Sequence, residues 1–168
     1  RLASGNLAAA DAVRLGLNIE HAGLSLADAL SFASHARLIH FVDGWYMAGS
    51  DFDDWQLANP AQRWVTLALA WHESLDGRVA DILREQYDWG SALDAYVRWL
   101  YPLDSAWILD LVSSAVRNAA HLGLVASHVR IPLAEVALRG DAVSLAARAN
   151  ESLPEMVTAR RPVARRPV

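Results

Sequence analysis

The chain has 168 residues, of which 54% are apolar, with a mean hydropathy of +0.14 and no cysteine. That is enough apolar material for one substantial domain or two small ones, and it excludes a disulfide framework and any thiolate zinc site. All 15 basic residues are arginines, which also excludes a P-loop lysine, a Schiff-base lysine and a Ser-Lys dyad.

The formal net charge of −4 is unevenly spread. Residues 159–168 hold four arginines and no acid, leaving 11 basic against 19 acidic residues, or −8, in the remainder. An acidic body repels a phosphate backbone. Apolar runs such as Trp64 to Trp71 are far shorter than the roughly 20 residues of a bilayer span, and no basic-then-apolar leader opens the chain. A cytoplasmic protein without a membrane partner is expected.

Residues 1–23 are rich in Ala and Leu, with helical character over Ala8 to Leu15 and no further assignment. Ser25-Leu26-Ala27-Asp28 has the form of a capping box, and Leu26, Leu30, Ala33 and Leu38 give an apolar face to a helix running to about Arg37. From Leu38 to Met47 the period changes: aromatic and β-branched residues flank Asp43-Gly44, the signal for a type I′ hairpin. Ser50-Asp51-Phe52-Asp53 begins a short helix with acids in its first turn. Asn59-Pro60 ends it and starts the longest amphipathic stretch of this half, with Trp64, Leu67, Ala68 and Trp71 at i, i+3, i+4, i+7.

Asp76-Gly77 breaks that helix. Arg78 to Tyr87 and a helix capped by Ser91, with Leu93, Tyr96, Val97 and Leu100 on one face, form a predicted helical hairpin. Ser105 caps a helix in which Ile108, Leu111, Val112 and Ala115 face inward, and Gly123 stands where a left-handed terminal residue belongs. Leu124 to Ile131 is extended around Ser127-His128, Pro132 opens a helix ending at Gly140, and Asp141 caps another that stops before Pro154. This order repeats the first half at an offset of about 85, with Ala36-Arg37-Leu38-Ile39 opposite Ala120-His121-Leu122-Gly123. The expected fold is mainly α: winged-helix-like units with short β-hairpins, at 24–75 and 105–153 of a domain spanning 24–158, joined by the helical hairpin and followed by an Arg/Pro tail at 159–168.

No residue set assembles a catalytic, cofactor or metal site. His72-Glu73 has Asp76 where a second histidine would be needed, and the pairs His35/His40 and His121/His128 carry no ligand spacing. Asp51, Asp53 and Asp54 fit a helix N-terminus better than a Mg²⁺ site or an acid-base pair. No GxSxG, GxGxxG or glycine-rich phosphate loop occurs, so the chain is expected not to be an enzyme. Of the seven tryptophans, Trp64 and Trp71 read as core, and Trp45 beside the tight turn reads as the most exposed. Residues placed to touch nucleic acid are Ser31, Ser34, His35 and Arg37 in the first unit, with Asp43 unfavourably at its wing tip. In the second they are Arg117, Asn118, His128 and Arg130, and in the tail Arg160, Arg161, Arg165 and Arg166.

The block ARLIHFVDGWYMAGSDFDDWQLANPAQRWVTLALAW and the later HLGLVASHVRIPLAEVALRGDAVSLAARANESLPEMV resemble the N-terminal region of actinobacterial helicase-associated proteins of the XPB-like helicase family. The resemblance covers roughly Leu24 to Thr158. It rests on element order and a few aromatics; no helicase motor motif is present, and after Leu153-Pro154-Glu155 the chain runs into ARRPV-ARRPV where the family continues into an extended strand. It implies a non-catalytic accessory domain of a helicase-associated, DNA-processing or transcription-linked protein, acting by contact with other protein domains or by weak DNA contact. The rival expectations are a winged-helix transcriptional regulator that responds to a small ligand and an enzyme built on Asp51 to Asp54.

Overall fold

A computed structural model describes residues 25–152, so the helix expected at Ala8 to Leu15 lies outside the described residues. Helices make up 67% of the described part, as eight helices accompanied by two antiparallel hairpins. Helix α1, Leu26–His35, starts at Ser25, whose hydroxyl accepts from the Asp28 N–H. Its end is set by Arg37 at φ 56°, a left-handed conformation that crowds the Cβ of any residue but glycine. Arg37 N–H donates to Ser34 (3.0 Å) and Leu38 N–H to Ala33 (2.8 Å), the paired bonds of a Schellman end.

Strands β1, Ile39–Val42, and β2, Trp45–Ala48, pair from Ile39 opposite Ala48 to Val42 opposite Trp45, with Asp43 (φ 50°) and Gly44 (φ 83°) forming the type I′ turn. The chain closes the hairpin by donating Gly49 N–H to the Leu38 carbonyl at 2.8 Å. A Cβ at Gly49 would lie 1.9 Å from the Arg37 carbonyl oxygen, which is why glycine stands there. Helices α2, Phe52–Leu57, and α3, Pro60–Ser74, follow. The second opens with a complete capping box: Asn59 Oδ1 accepts from Gln62 N–H (2.8 Å) and Gln62 Oε1 from Asn59 N–H (3.0 Å).

Helix α4, Gly77–Glu85, is capped by Asp76, and helix α5, Ser91–Leu100, starts from Gly90. Both lean on α6, Ser105–His121, more than on each other. What separates them is an extended segment: Trp89 N–H donates to His128 (2.7 Å) and Arg130 N–H to Tyr87 (3.2 Å), with Asp88 bridged antiparallel to Val129. That segment lies beside the second hairpin, β3 (Val125–Ala126) and β4 (Val129–Arg130), which turns through Ser127 (φ 49°) and His128 (φ 68°). Helices α7, Pro132–Arg139, and α8, Ala142–Ser152, complete the described residues, separated by Gly140 at φ 66°.

The two halves share the backbone bonds that flank their hairpins. Leu124 N–H donates to Ala119 and Gly123 N–H to Ala120, as Leu38 does to Ala33 and Arg37 to Ser34, an offset of 86 (38 to 124). After the hairpins the offset is 82: Ile131 donates to Leu124 as Gly49 does to Leu38, and Asp141 caps Ser144 N–H as Asn59 caps Gln62 N–H (59 to 141). The difference of four is the shorter second hairpin, with strands of 2 residues instead of 4. The register therefore sets Arg37 opposite Gly123, two positions from the pairing of Arg37 with His121 read from sequence.

Helix α3 is the centre of the packing, touching α1, α2, α6, α7 and α8, with α8 as its closest neighbour. Alanines with no exposed surface, among them Ala68, Ala119, Ala134, Ala137 and Ala149, allow that approach. Around them lie Trp71, Ile82, Leu83, Leu93, Ile108, Leu124, Leu138 and Leu145. A smaller cluster of Ala36, Leu38 and Ala70, flanked by Phe52, Trp55 and Leu67, anchors the base of the first hairpin. No helix among the described residues is long and apolar enough to cross a membrane.

Two substitutions test this packing by urea denaturation. Trp71→Ala, which removes a 1% exposed side chain and its N–H bond to the Ala115 carbonyl, is expected to cost about 3–5 kcal/mol. Gly49→Ala is expected to cost roughly 1–3 kcal/mol by forcing the hairpin base off Arg37; a loss below measurement would mean that the chain does not approach so closely there.

Candidate functional site

The basic side chains expected to meet nucleic acid are distributed by the fold, not gathered. Arg130 is the clearest case: one guanidinium nitrogen donates to the Leu83 (3.0 Å) and Arg84 (2.8 Å) carbonyls, another reaches Glu135 (3.4 Å), and the group stacks on Tyr87. Its side chain is only 14% exposed. It caps the C-terminal end of α4, where carbonyls lack partners within the helix and the dipole favours a cation.

Arg37 reaches Asp51 (3.4 Å), and Arg117 reaches Asp28 (3.8 Å), with His121 at 4.0 Å from the same carboxylate. His128 is exposed in its tight turn. Ser31 and His35 pair with each other, the ring nitrogen lying 2.9 Å from the Ser31 carbonyl. Arg117 and His128 thus belong to one half and Arg37 to the other, and both exposed arginines face an acid. Arg160, Arg161, Arg165 and Arg166 lie outside the described residues.

The acidic residues around α2 are likewise occupied or dispersed. Asp51 accepts from the Ser50 hydroxyl (2.6 Å) and pairs with Arg37, while Asp53 and Asp54 stand exposed in the first turn. Among the described residues no three His, Asp or Glu side chains converge as a metal site would require.

His72, which sequence places beside an incomplete metal motif, serves as a wedge between α3 and Gly140. A Cβ at Gly140 would lie 2.7 Å from His72 Nε2, and His72 Nδ1 is buried without a hydrogen-bond partner. Burial holds its pKa below the ordinary 6.5; the Arg84 charge adds to this and Glu73 opposes it.

Two exposed apolar surfaces are more conspicuous than any charged one. On the first hairpin Phe41, Val42, Met47 and Trp45 are 44%, 44%, 54% and 61% exposed, and Asp43 is the sole formal charge between Ile39 and Ala48. Around the α5–α6 turn Trp99 (75%) and Leu103 (96%) stand out beside Leu100, Trp107 and Leu111, with Arg78 stacked on the Trp107 ring at 4.6 Å. Trp45 is exposed as expected, but Trp99 is more so. The inward face of α5 is narrower than its apolar spacing suggests: Leu93 and Val97 are buried, Leu100 is not.

Two adjoining clefts, one of about 160 Å³ between α1, α3 and α6 and one of about 110 Å³ between α3, α4 and α6, share Trp71, Ser74, Ser114 and Asn118. Asn118, read from sequence as a nucleic-acid contact, lines both, and its Oδ1 is buried without a hydrogen-bond partner.

Because the His72 pKa is depressed in the folded protein, the unfolded chain binds that proton more readily. Its contribution to stability is complete above pH 6.5 and is lost as pH falls from 6.5 through the lower folded value. The melting temperature of the native chain is expected to drop over that window, and His72→Gln to flatten the drop; an unchanged slope would exclude His72 as its source. Compared with protein-family models, with curated proteins and with solved structures, the chain has no match.

Proposed function

We propose that the chain is a non-catalytic accessory module of a helicase-associated, DNA-processing or transcription-linked protein, and that it acts chiefly by protein contact. The observation that carries this reading is the first hairpin, an apolar arm exposing Phe41, Val42, Trp45 and Met47 around a single acid. Apolar surface of this kind, rimmed by polar residues, marks interaction sites. The neighbouring charges, Asp51, Asp53 and Asp54, fit a partner with a basic rim and disfavour phosphate.

Residues 77–130 have the order helix, extended segment, helix, helix, hairpin, with the extended segment beside the last strand. We read that order as a winged helix, one that begins after the first unit expected from sequence and overlaps the first part of the second, 105–153. In this reading α6 occupies the recognition position and β3–β4 the wing. Its outward residues include Trp107, Asp110, Leu111, Ser113 and Arg117, a surface with one basic and one acidic group that suits protein better than DNA. A small-ligand-responsive regulator of the same architecture is the second reading, favoured by the clefts along α6.

If the arm serves a partner, Met47→Ser changes stability by less than about 0.5 kcal/mol, whereas Leu38→Ala at the hairpin base costs about 2–5 kcal/mol. Equal losses would make the arm part of the core and end the docking reading. Titration with a duplex and a single strand of DNA separates the partner classes. Binding is expected no tighter than the nonspecific range of roughly 10⁻⁴–10⁻⁶ M and to vanish without residues 159–168; tighter binding that survives their removal would make the folded body a DNA reader.

A further inference from the structure

We propose that the Arg/Pro segment 159–168 of this chain docks in cis along the first hairpin, holding the arm until a partner displaces it. The inference rests on the reading of the arm as an interaction surface and names its resident occupant. Register and alternation place His40, Val42, Trp45 and Met47 on one face of β1–β2, where Val42, Trp45 and Met47 are 44%, 61% and 54% exposed. Apolar surface of that kind calls for cover.

Charge selects what covers it. Residues 38–62 hold four acids, Asp43, Asp51, Asp53 and Asp54, and no arginine, whereas residues 159–168 hold four arginines and no acid. Among the described residues only Asp51 of the four has an arginine partner, Arg37. The acids stand at the two ends of the arm. Asp43 is in its turn, and Asp53 and Asp54 lie in the first turn of α2, where the Phe52 N–H donates to the Gly49 carbonyl at the hairpin base. Asp43 to Gly49 is six residues of strand (43 to 49), about 20 Å. The arginine pairs 160–161 and 165–166 are five positions apart (160 to 165), about 16 Å when extended, and Pro162 and Val163 between them bring apolar surface to the middle of the arm. The other apolar prominence is unsuited to a basic segment, because Arg78 already stacks on Trp107 and Arg98 precedes Trp99.

The segment starts within reach of the arm. Helix α8 ends at Ser152, and its Asn150 shares a cleft with Ala61 and Gln62 in the first turn of α3. One residue on, Arg63 donates to the Trp55 and Gln56 carbonyls of α2, so α2 and the end of α8 flank the same end of α3. Arg160 is eight positions beyond Ser152 (152 to 160), up to about 26 Å of extended chain, enough to pass around one helix of about 10 Å diameter. Leaving from the base, the chain sets Arg160 and Arg161 against Asp53 and Asp54, and Arg165 and Arg166 against Asp43. Each contact is a weak surface pair, so the docking is reversible. A partner that takes the arm frees the four arginines, and a polyanion that takes the arginines frees the arm, the two events being reciprocally linked.

The chain has no cysteine, so Val168→Cys gives the full chain one attachment point for a nitroxide. In ¹⁵N-labelled protein the nitroxide is expected to broaden the amide signals of residues 42–47 most strongly and to spare the α5–α6 turn, and its reduction by ascorbate to restore them. Broadening strongest at any other surface, or localised at none, would overturn the docking. A mixture of nitroxide-bearing ¹⁴N chain with unmodified ¹⁵N chain is expected to leave the arm signals sharp. Broadening there equal to that within one chain would make the occupant a second copy and overturn the contact in cis. Asp43→Asn, which suits the left-handed turn, is expected to reduce the broadening about twofold or more, and an unchanged value would overturn the ionic contact. Failure of the tail to dock leaves the stability of Met47→Ser untouched, whereas failure of the arm as an interaction surface shows as destabilisation by that substitution, so the two outcomes are separate.

Discussion

A bundle of short helices produces many helix ends, each leaving carbonyl groups with no partner inside the helix. In this protein the carbonyl ends are tied by long side chains arriving from other elements. Arg63 donates to Trp55 and Gln56 at the end of α2, Arg84 to Leu138 at the end of α7, and Arg130 to Leu83 and Arg84 at the end of α4. Indoles do the same work: Trp64 on Leu122 at the end of α6, and Trp89 on Leu83 and Gln86. A fork of fixed N–H groups reaches two carbonyls at once, which a lysine ammonium on its flexible stem does less well, and this gives the absence of lysine a structural sense.

The same ties decide what the surface has left to offer. Arginines turned onto helix ends cannot also grip phosphate, and of the exposed ones expected at nucleic acid, Arg37 faces Asp51 and Arg117 faces Asp28. The positive field of a nucleic-acid reader is therefore missing from the described body, whose outward character is acidic with two apolar prominences. The reading as a protein-contact module follows from this allocation of side chains more than from the order of the elements.

Local chemistry was legible in the sequence and nonlocal chemistry was not. Asn59-Pro60 with Gln62, Asp43-Gly44, Gly123 and Gly140 each announce a boundary through residues whose conformational preference is strong, and each boundary lies where expected. Arg37, Ser127 and His128 adopt positive φ without glycine, and the carbonyls of Arg37 and His128 accept from Asp51 and Trp89, residues distant in sequence. The strand-like contact of Asp88 with Val129 spans 41 residues (88 to 129) and carries no alternating pattern to reveal it. Ser91 and Ser105, expected as caps, begin their helices one residue after the actual cap positions, Gly90 and Asp104. The sequence reading expects Arg130 and Asn118 to touch nucleic acid, but the destination of a long or branched polar side chain is fixed by what packs around it, and one turns inward while the other lines a groove.

The unequal lengths of the two hairpins carry a mechanical consequence. Two additional residues per strand, at about 3.3 Å each, set the turn of the first hairpin roughly 7 Å farther from its parent helix than the turn of the second. The short hairpin stays within reach of its own bundle, where the chain at Asp88 can bridge it. The long one carries its aromatic tip beyond the range at which its own core can desolvate it, so that one backbone plan yields a closed corner at one site and a lever at the other.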